Sequence, residues 1–226
     1  METNPSAIGI ILDGNRRWAR ARGLPTLEGH RAGFEKTKDL VRWARARSIG
    51  TVYIYAFSTE NWNRSPEEVG YLMRLFAEAF STELIDDIAE HNGRIVFLGD
   101  RTRIPDELRA LMQRAEDRTK GGTQGTLAVC LSYGGRSEIV AAAESLRGGA
   151  ELVTEALFAN MLWSAGLPDP DLIIRTGGDM RLSNFLLWQA AYAELFFIPE
   201  TWPDFSEALL DQVLEEYRAR ERRRGK

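Results

Sequence analysis

A single α/β domain, built on a six-stranded, mainly parallel sheet flanked by helices, is the architecture predicted across residues 1–226. Three observations predict it. Short apolar runs alternate with longer amphipathic ones. Several of the short runs are apolar on both faces, as strands of a parallel sheet are. A dense polar cluster follows most of them directly, where ligands gather in such folds. In order, residues 7–12, 51–57, 94–98, 127–131, 172–175 and 193–197 read as strands, rich in branched and aromatic side chains. Between them, segments 33–47, 66–91, 105–120, 137–147, 154–164 and 206–223 have helical spacing. There is no Pro-, Gly- or Ser-rich linker, internal repeat or low-complexity segment. The glycine-rich stretch 121–125 is a turn too short to separate domains. The basic run 218–226 is expected to fray.

Composition narrows the function. A net charge of -4 argues against general nucleic-acid binding, which needs a broad basic surface. Of the 29 cations, 25 are Arg, and where these sit in turns beside Gly, Ser or Asn their planar forks suit phosphate. Cys130 is the one cysteine, so no intrachain disulfide forms and a reducing cytosol is the expected compartment. His30 and His91 are the only histidines, too few for a His- or Cys-rich zinc site. No basic n-region and apolar h-region open the sequence, so secretion is not expected. The most apolar stretch, 185–198, is interrupted by Gln189 and Glu194 and is not expected to span a membrane.

The strand ends carry the chemistry. After the first strand comes Asp13-Gly14-Asn15-Arg16-Arg17-Trp18. A strand that stops there and re-enters helical residues exposes backbone N–H groups to an anion. Gly14 permits close approach, Arg16 and Arg17 add forked donors, and Asp13 could hold Mg²⁺ bridging phosphate oxygens. By itself the motif reads more readily as a helix cap with an exposed arginine pair. Neither Walker A nor G-x-G-x-x-G is present, which disfavours ordinary nucleotide binding.

The second strand ends in Ser58-Thr59-Glu60-Asn61-Trp62-Asn63-Arg64. A turn into the helix beginning at Pro66 accounts for residues 63–66 but not for 58–62. Ser58, Glu60 and Asn61 could form a hydrogen-bonded relay, with Arg64 facing phosphate. The fifth strand ends in Arg175, and Arg181 follows six residues later across a Gly177-Gly178 turn, with Leu182 and Ser183 behind it. Two arginines and a serine so spaced suit a diphosphate clamp. Glu194 lies within an apolar run, where a carboxylate is costly unless paired or metal-bound. Asp86-Asp87 resembles the aspartate-rich motif of all-helical trans-prenyltransferases. It is a single imperfect copy in a strand-helix chain, and we read it as a solvated helix end.

Together, in this order, these motifs resemble the cis-prenyltransferase (undecaprenyl diphosphate synthase) family over essentially the whole chain, residues 8–225. Also matching are Gly29-His30, Tyr133-Gly134-Gly135-Arg136, the run from Ser183 to Gln189, Tyr192-Ala193-Glu194 and the tail Arg223-Arg224-Gly225. The resemblance implies sequential cis condensation of isopentenyl diphosphate onto an allylic diphosphate, expected to be farnesyl diphosphate, giving an undecaprenyl-type product. A short-chain synthase is the alternative. It also implies Mg²⁺, a homodimer, and a cytoplasmic enzyme that contacts the inner membrane face when product leaves. Gly14, Asn15, Arg16, Arg17, His30 and Arg64 would cradle the allylic diphosphate, with Asp13 managing Mg²⁺. Arg175, Arg181 and Ser183 would hold isopentenyl diphosphate, with Glu194 sharing the metal from the same or the partner subunit. Asn61, supported by Ser58, would sit where the proton leaves, and Trp18 and Trp62 would line the pocket, which the helix over 69–84 could extend into a tunnel.

Four positions depart from the family pattern: Thr26 replaces an Arg, Arg16 a Gly, Ser132 an Asn, and Leu131 a smaller residue. Leu131 suggests a shorter tunnel, whereas Ala56 is small where short-chain members carry a larger side chain. These cues conflict. Rivals are a non-catalytic partner subunit, a phosphate-binding protein and a phosphohydrolase with Asp13 as nucleophile. A second arginine clamp, which implies a second anionic substrate, disfavours the last two.

Overall fold

The computed structural model describes residues 4–81, 83–149 and 152–220. Its strands are β1 (Ala7–Ile11), β2 (Thr51–Ser58), β3 (Arg94–Leu98), β4 (Thr126–Tyr133), β5 (Leu172–Arg175) and β6 (Glu194–Phe197). They form one sheet in the order β3-β4-β2-β1-β5-β6. Each neighbouring pair runs parallel, so the sheet expected to be mainly parallel is wholly so among the described residues.

Side chains alternate between two cores, as the two-residue period of a strand demands. Ile8, Ile10 and Ile54 enter one cluster with Leu40, Leu72 and Leu214, while Tyr53, Tyr55 and Cys130 enter the other with Ile173 and Phe185. Each fully buried Ile or Leu contributes about 1.5–3 kcal/mol relative to exposure. The chain leaves β1 toward β2 on one side, and β5 joins β1 on the other. This is a topological switch point, so the loops after β1 and β5 diverge and leave a crevice.

The helices are α1 (Asn15–Ala21), α2 (Thr26–Ala46), α3 (Pro66–Phe80), α4 (Glu83–Glu90), α5 (Asp106–Thr119), α6 (Gly135–Ser145), α7 (Glu155–Ala159) and α8 (Glu207–Ala219). Helix α2 begins seven residues before the expected 33, and Gly29 and Gly33 are contact positions within it. A Cβ on Gly29 would lie 2.1 Å from the Asn15 carbonyl oxygen, and one on Gly33 2.5 Å from Asn15 Oδ1. Backbone of α2 thus rides directly on α1. The expected helix 66–91 divides into α3 and α4, where Ser81 turns its hydroxyl onto the Glu78 carbonyl at 3.0 Å. The segment 154–164 keeps only a short helix, ended at Asn160. Helix α8 ends at Ala219; residues 221–223 of the expected helix and the Arg223-Arg224-Gly225 motif lie outside the described residues. Among the described residues no helix is long and apolar enough to cross a membrane.

On α4, Asp86 pairs with Arg118 at 2.8 Å, and Asp87 pairs with Arg45 and His91, each at 3.2 Å. The aspartate pair, expected at a solvated helix end, sits midway along α4 and is ion-paired on its surface.

Candidate active site

Gly14, with φ +103°, turns the chain from β1 into α1, and a Cβ there would lie 2.8 Å from Thr201 Cβ. Only glycine accepts both conditions. The turn is braced from behind: Thr176 Oγ1 and Trp202 N donate to the Asp13 carbonyl at 2.7 and 2.9 Å. Asp13 thereby projects its carboxylate into the crevice. Its Oδ1 accepts from Gly14 N at 2.6 Å and lies 3.3 Å from Arg17, while Oδ2 accepts from Arg175 at 2.8 Å. Helix α1 starts without a side-chain cap and without an acidic residue in its first turn, leaving its positive end to the crevice.

Arg175 ends β5 and is 3% exposed. It also donates to Ser183 Oγ at 2.7 Å and to the Arg181 carbonyl, which shapes the loop 176–183 around it. Its Nε is buried and has no partner among the described residues. Gly177 and Gly178 take φ +85° and +81°, and Arg17 reaches across to donate to Gly177 O at 2.6 Å. Asp179 gathers Arg181 at 3.0 Å and Arg17 at 3.2 Å. The Arg181 hydrogen bond, then the charges of Arg181, Arg17 and Arg175, hold its carboxyl below the usual carboxylate range.

Opposite this clamp, His30 of α2 is 7% exposed. Its Nε2 lies 3.0 Å from Glu68 Oε1, the same oxygen that accepts from Arg64 at 3.1 Å. Burial pushes the His30 pKa down against the raising effect of Glu68, so the ring is neutral near pH 7. Burial also lowers the Arg64 pKa, while Glu68 sits below its ordinary value because His30 and Arg64 outweigh desolvation. The net cation here is therefore Arg64 together with Arg16, not the histidine.

At the end of β2, Ser58 caps a 3₁₀ turn, Thr59–Asn63, and its N–H donates to Asn61 Oδ1 at 3.1 Å. The Asn61 amide is thus oriented by backbone. Glu60 accepts from Asn184 Nδ2 at 2.9 Å. Burial opposes its ionisation, but hydrogen bonds from its own backbone, Asn184, Ser58 and Thr59 outweigh that and lower its pKa.

One cleft of about 930 Å³ collects most of the predicted site. Asp13, Gly14, Asn15, Arg16, Arg17, His30 and Arg64 line it together with Ser58, Glu60, Asn61, Arg175, Arg181 and Ser183. An apolar pocket of about 80 Å³ between α2, α3 and β2 shares Leu12, Asn15, His30, Tyr55, Ala56 and Leu72 with the cleft, so the two adjoin.

Several predicted residues lie elsewhere. Trp18 is not among the lining residues; its Nε1 donates to Asp204 at 2.9 Å, with Arg22 stacked 4.4 Å over its ring. Trp62 donates to Ser132 Oγ at 3.0 Å and lies under Arg103 at 4.7 Å, so it packs behind the Asn61 turn. Thr59 sits over Gly134, where a Cβ would come within 2.7 Å of its Oγ1. Leu182 packs on the second core. Glu194 opens β6 opposite Leu172, at the end of the sheet away from Asp13, and pairs with Arg220 at 2.8 Å. Within one chain it does not join Asp13, because a four-residue strand separates it from the loop end. Of the chain-length cues, Ala56 lines the pocket, whereas Leu131 is 1% exposed inside the core and outside the lining.

Glu68 was not anticipated from the sequence, and Asp179 and Asn184, though within the segment that follows β5, were given no role. Glu68 looks like any first-turn acid of an amphipathic helix, and only the fold brings His30 to it from 38 residues away. Among the described residues no cluster of three or more His, Cys, Asp or Glu side chains is placed to hold a metal. Three carboxylates line the cleft, Asp13, Glu60 and Asp179, and Asp13 is the one at the end of β1, 2.8 Å from Arg175.

Fold and site define an α/β protein with two arginine-bearing groups at its strand ends, in one cleft that adjoins an apolar pocket. The family model for undecaprenyl diphosphate synthase matches residues 11–225. The isoprenyl transferase of Agrobacterium fabrum is 43% identical over 98% of this chain and 92% of its own. The ditrans,polycis-undecaprenyl-diphosphate synthase ((2E,6E)-farnesyl-diphosphate specific) of Legionella pneumophila strain Paris is 42% identical over 98% and 95%. The crystal structure of lavandulyl diphosphate synthase from Lavandula x intermedia, in complex with dimethylallyl diphosphate, superposes with a TM-score of 0.95 at 34% identity, covering all of both chains. The chain belongs to the undecaprenyl diphosphate synthase family of prenyltransferases.

Proposed function

We propose that the chain condenses isopentenyl diphosphate in successive cis steps onto an allylic diphosphate, farnesyl diphosphate, to give an undecaprenyl-type polyprenyl diphosphate. The observation that carries this reading is the pairing of two separate cationic groups in one cleft, meeting at Asp13 and Arg175, with an apolar pocket leading away between α2 and α3. Two diphosphates and a growing hydrocarbon need that combination.

Arg16, Arg17, Arg64 and the N–H groups at the start of α1 hold the allylic diphosphate, and breaking its C–O bond puts charge on a group these donors already face. Arg175, Arg181 and Ser183 hold isopentenyl diphosphate, and the unpartnered Nε of Arg175 is a further donor for it. The new C–C bond joins the two prenyl units, a proton leaves the isopentenyl carbon, and the allylic diphosphate departs. Asn61 is a poor base with its oxygen already on the Ser58 N–H, so it orients diphosphate, and the departing diphosphate takes the proton. Mg²⁺ would be held by Asp13 and diphosphate oxygens, a donor set this ion accepts, and would supply charge neutralisation of the leaving group. Glu194 would reach that ion from the partner of a homodimer. Product release would bring the cytoplasmic enzyme to the inner membrane face.

A short-chain synthase is the second reading, favoured by the full-length similarity to lavandulyl diphosphate synthase and the narrow pocket. Purified protein with Mg²⁺, farnesyl diphosphate and labelled isopentenyl diphosphate should give butanol-extractable polyprenyl diphosphate, and chromatography after dephosphorylation separates the two readings. Binding of both ligands without product would refute both.

A further inference from the structure

Asn184 is the point where the loops after β2, β4 and β5 meet. Its Nδ2 donates to Glu60 Oε1 at 2.9 Å, its Oδ1 accepts from Arg136 N at 2.8 Å, and its carbonyl accepts from Gly135 N at 2.7 Å. It does this from a left-handed backbone, φ +69°, directly after Ser183 at φ +49°. Asn tolerates that region, but two successive non-glycine residues there are costly and persist only where the surroundings hold them. Gly134 makes the room: a Cβ on it would lie 2.7 Å from both Asn184 Nδ2 and Thr59 Oγ1. Tyr55 adds a tie, its hydroxyl donating to Ser183 O at 3.2 Å.

The neighbours of Asn184 on either side of its bonds matter. One residue before it, Ser183 holds Arg175 at 2.7 Å. Across its side chain, Glu60 precedes Asn61, whose amide is fixed on Ser58 at 3.1 Å. A path therefore runs from Arg175 through Ser183 and Asn184 to Glu60 and Asn61. We propose that Asn184 is a positioning residue for condensation, stapling the Asn61 turn to the Arg175–Ser183 clamp so that a diphosphate held by the clamp is registered against Asn61. The proposal rests on the prenyl-transfer reading above. Asn184 acts through its two neighbours, so its loss disturbs the alignment of two bound substrates more than the holding of either.

Three variants test it. Asn184→Gly keeps the backbone conformation and removes both side-chain bonds. It should lower kcat by about 10- to 100-fold, since misplacement on the order of 1 Å has that effect, with the KM for isopentenyl diphosphate within about threefold. Glu60→Ala in that background should cost less than in the wild type, because the contact is already gone. Asn184→Asp keeps the acceptor for the Arg136 N–H but sets a second carboxyl against Glu60. Like charges raise the pKa of one of the pair, and the introduced carboxyl, once protonated, donates to Glu60 as the amide did. The ratio of mutant to wild-type kcat should therefore rise as pH is lowered from 8 to 6, by about threefold or more.

Additive penalties, a raised KM at unchanged kcat, or a flat ratio across pH would overturn the proposal. If the wild type forms no prenyl product from both substrates, the functional reading fails instead. The same Asn184–Glu60 cycle read as urea unfolding midpoints then still reports on the staple: non-additive midpoints support the contact and additive ones overturn it.

Discussion

Asp13 Oδ2 and Arg175 Nη2 stand 2.8 Å apart although 162 residues separate them in sequence. Parallel pairing of β1 with β5 sets Ile11 opposite Arg175, so the turn after one strand opens beside the end of the other. The Arg175 side chain is 4% exposed and that of Asp13 30%, which screens this pair less than a surface bridge.

Asp13→Asn keeps the shape and removes the charge. Turnover with Mg²⁺ should fall by about 10²-fold or more, the scale of losing one preorganised electrostatic partner. Folding should survive at a cost of about 1–3 kcal/mol, because Asp179 remains 3.8 Å from Arg175. Steady-state condensation and thermal unfolding together check this, and undiminished turnover contradicts the role given to Asp13.

Product length should answer to Ala56 and not to Leu131. Ala56→Leu fills a pocket of about 80 Å³ and should shift the dephosphorylated products to shorter chains. Leu131→Ala removes packing from the closed core, costing about 2–5 kcal/mol of stability while leaving the chain-length distribution in place. Thin-layer chromatography of both variants settles the contrast, and a length change in Leu131→Ala alone would reverse it.

The His30–Glu68 pair makes the protein acid-sensitive in a definite window. The folded His30 pKa is below its ordinary 6.5, so the unfolded chain binds the extra proton first as pH falls. The stability contributed by the neutral ring is complete above 6.5 and declines below it. Glu68, depressed from 4.5, adds a loss of the same sign at lower pH. Urea midpoints should fall between pH 7.5 and 5.5, and His30→Gln should flatten that slope. An equal slope in both proteins would show that other groups carry the acid response.

Glu194 gives a prediction about assembly. If it serves the cleft of a partner, mixing Asp13→Ala with Glu194→Gln subunits under exchange should recover activity, since one cleft of each mixed dimer is then intact. Homodimers of either variant should stay nearly inactive. Failure to recover activity, with mixed dimers demonstrated by mass, would leave Glu194 to its own ion pair with Arg220.

Much of this was legible because strand ends and turn glycines are local signals. The polar clusters at Asp13, Ser58 and Arg175 follow runs whose two-sided apolarity marks buried parallel strands. What misled were residues whose meaning is tertiary. The helix expected from Gly33 begins at Thr26, because Gly29 and Gly33 are helix positions where Asn15 is in contact. Trp18 belongs to a conspicuous motif, yet its indole N–H finds Asp204, 186 residues away. Glu194 in an apolar run was read as needing a partner, and it has one in Arg220, a cation no local pattern points to. Asn184 follows the serine of a clamp and gives no sign of contacting two other loops.

The segment after β6 has a consequence for when the chain becomes competent. Residues 198–202 return to the site from the edge of the sheet: Ile198 O and Glu200 O accept from Gly178 and Gly177, and Trp202 N donates to Asp13 O. Trp202 also donates its indole N–H to Gly33 O at 2.7 Å, which fastens α2. A nascent chain that has already paired β1, β2, β4 and β5 still lacks these ties. On the ribosome the cleft closes into its working shape only once residues 198–202 have emerged, so fragments truncated before residue 198 should hold the sheet together and remain chemically blank.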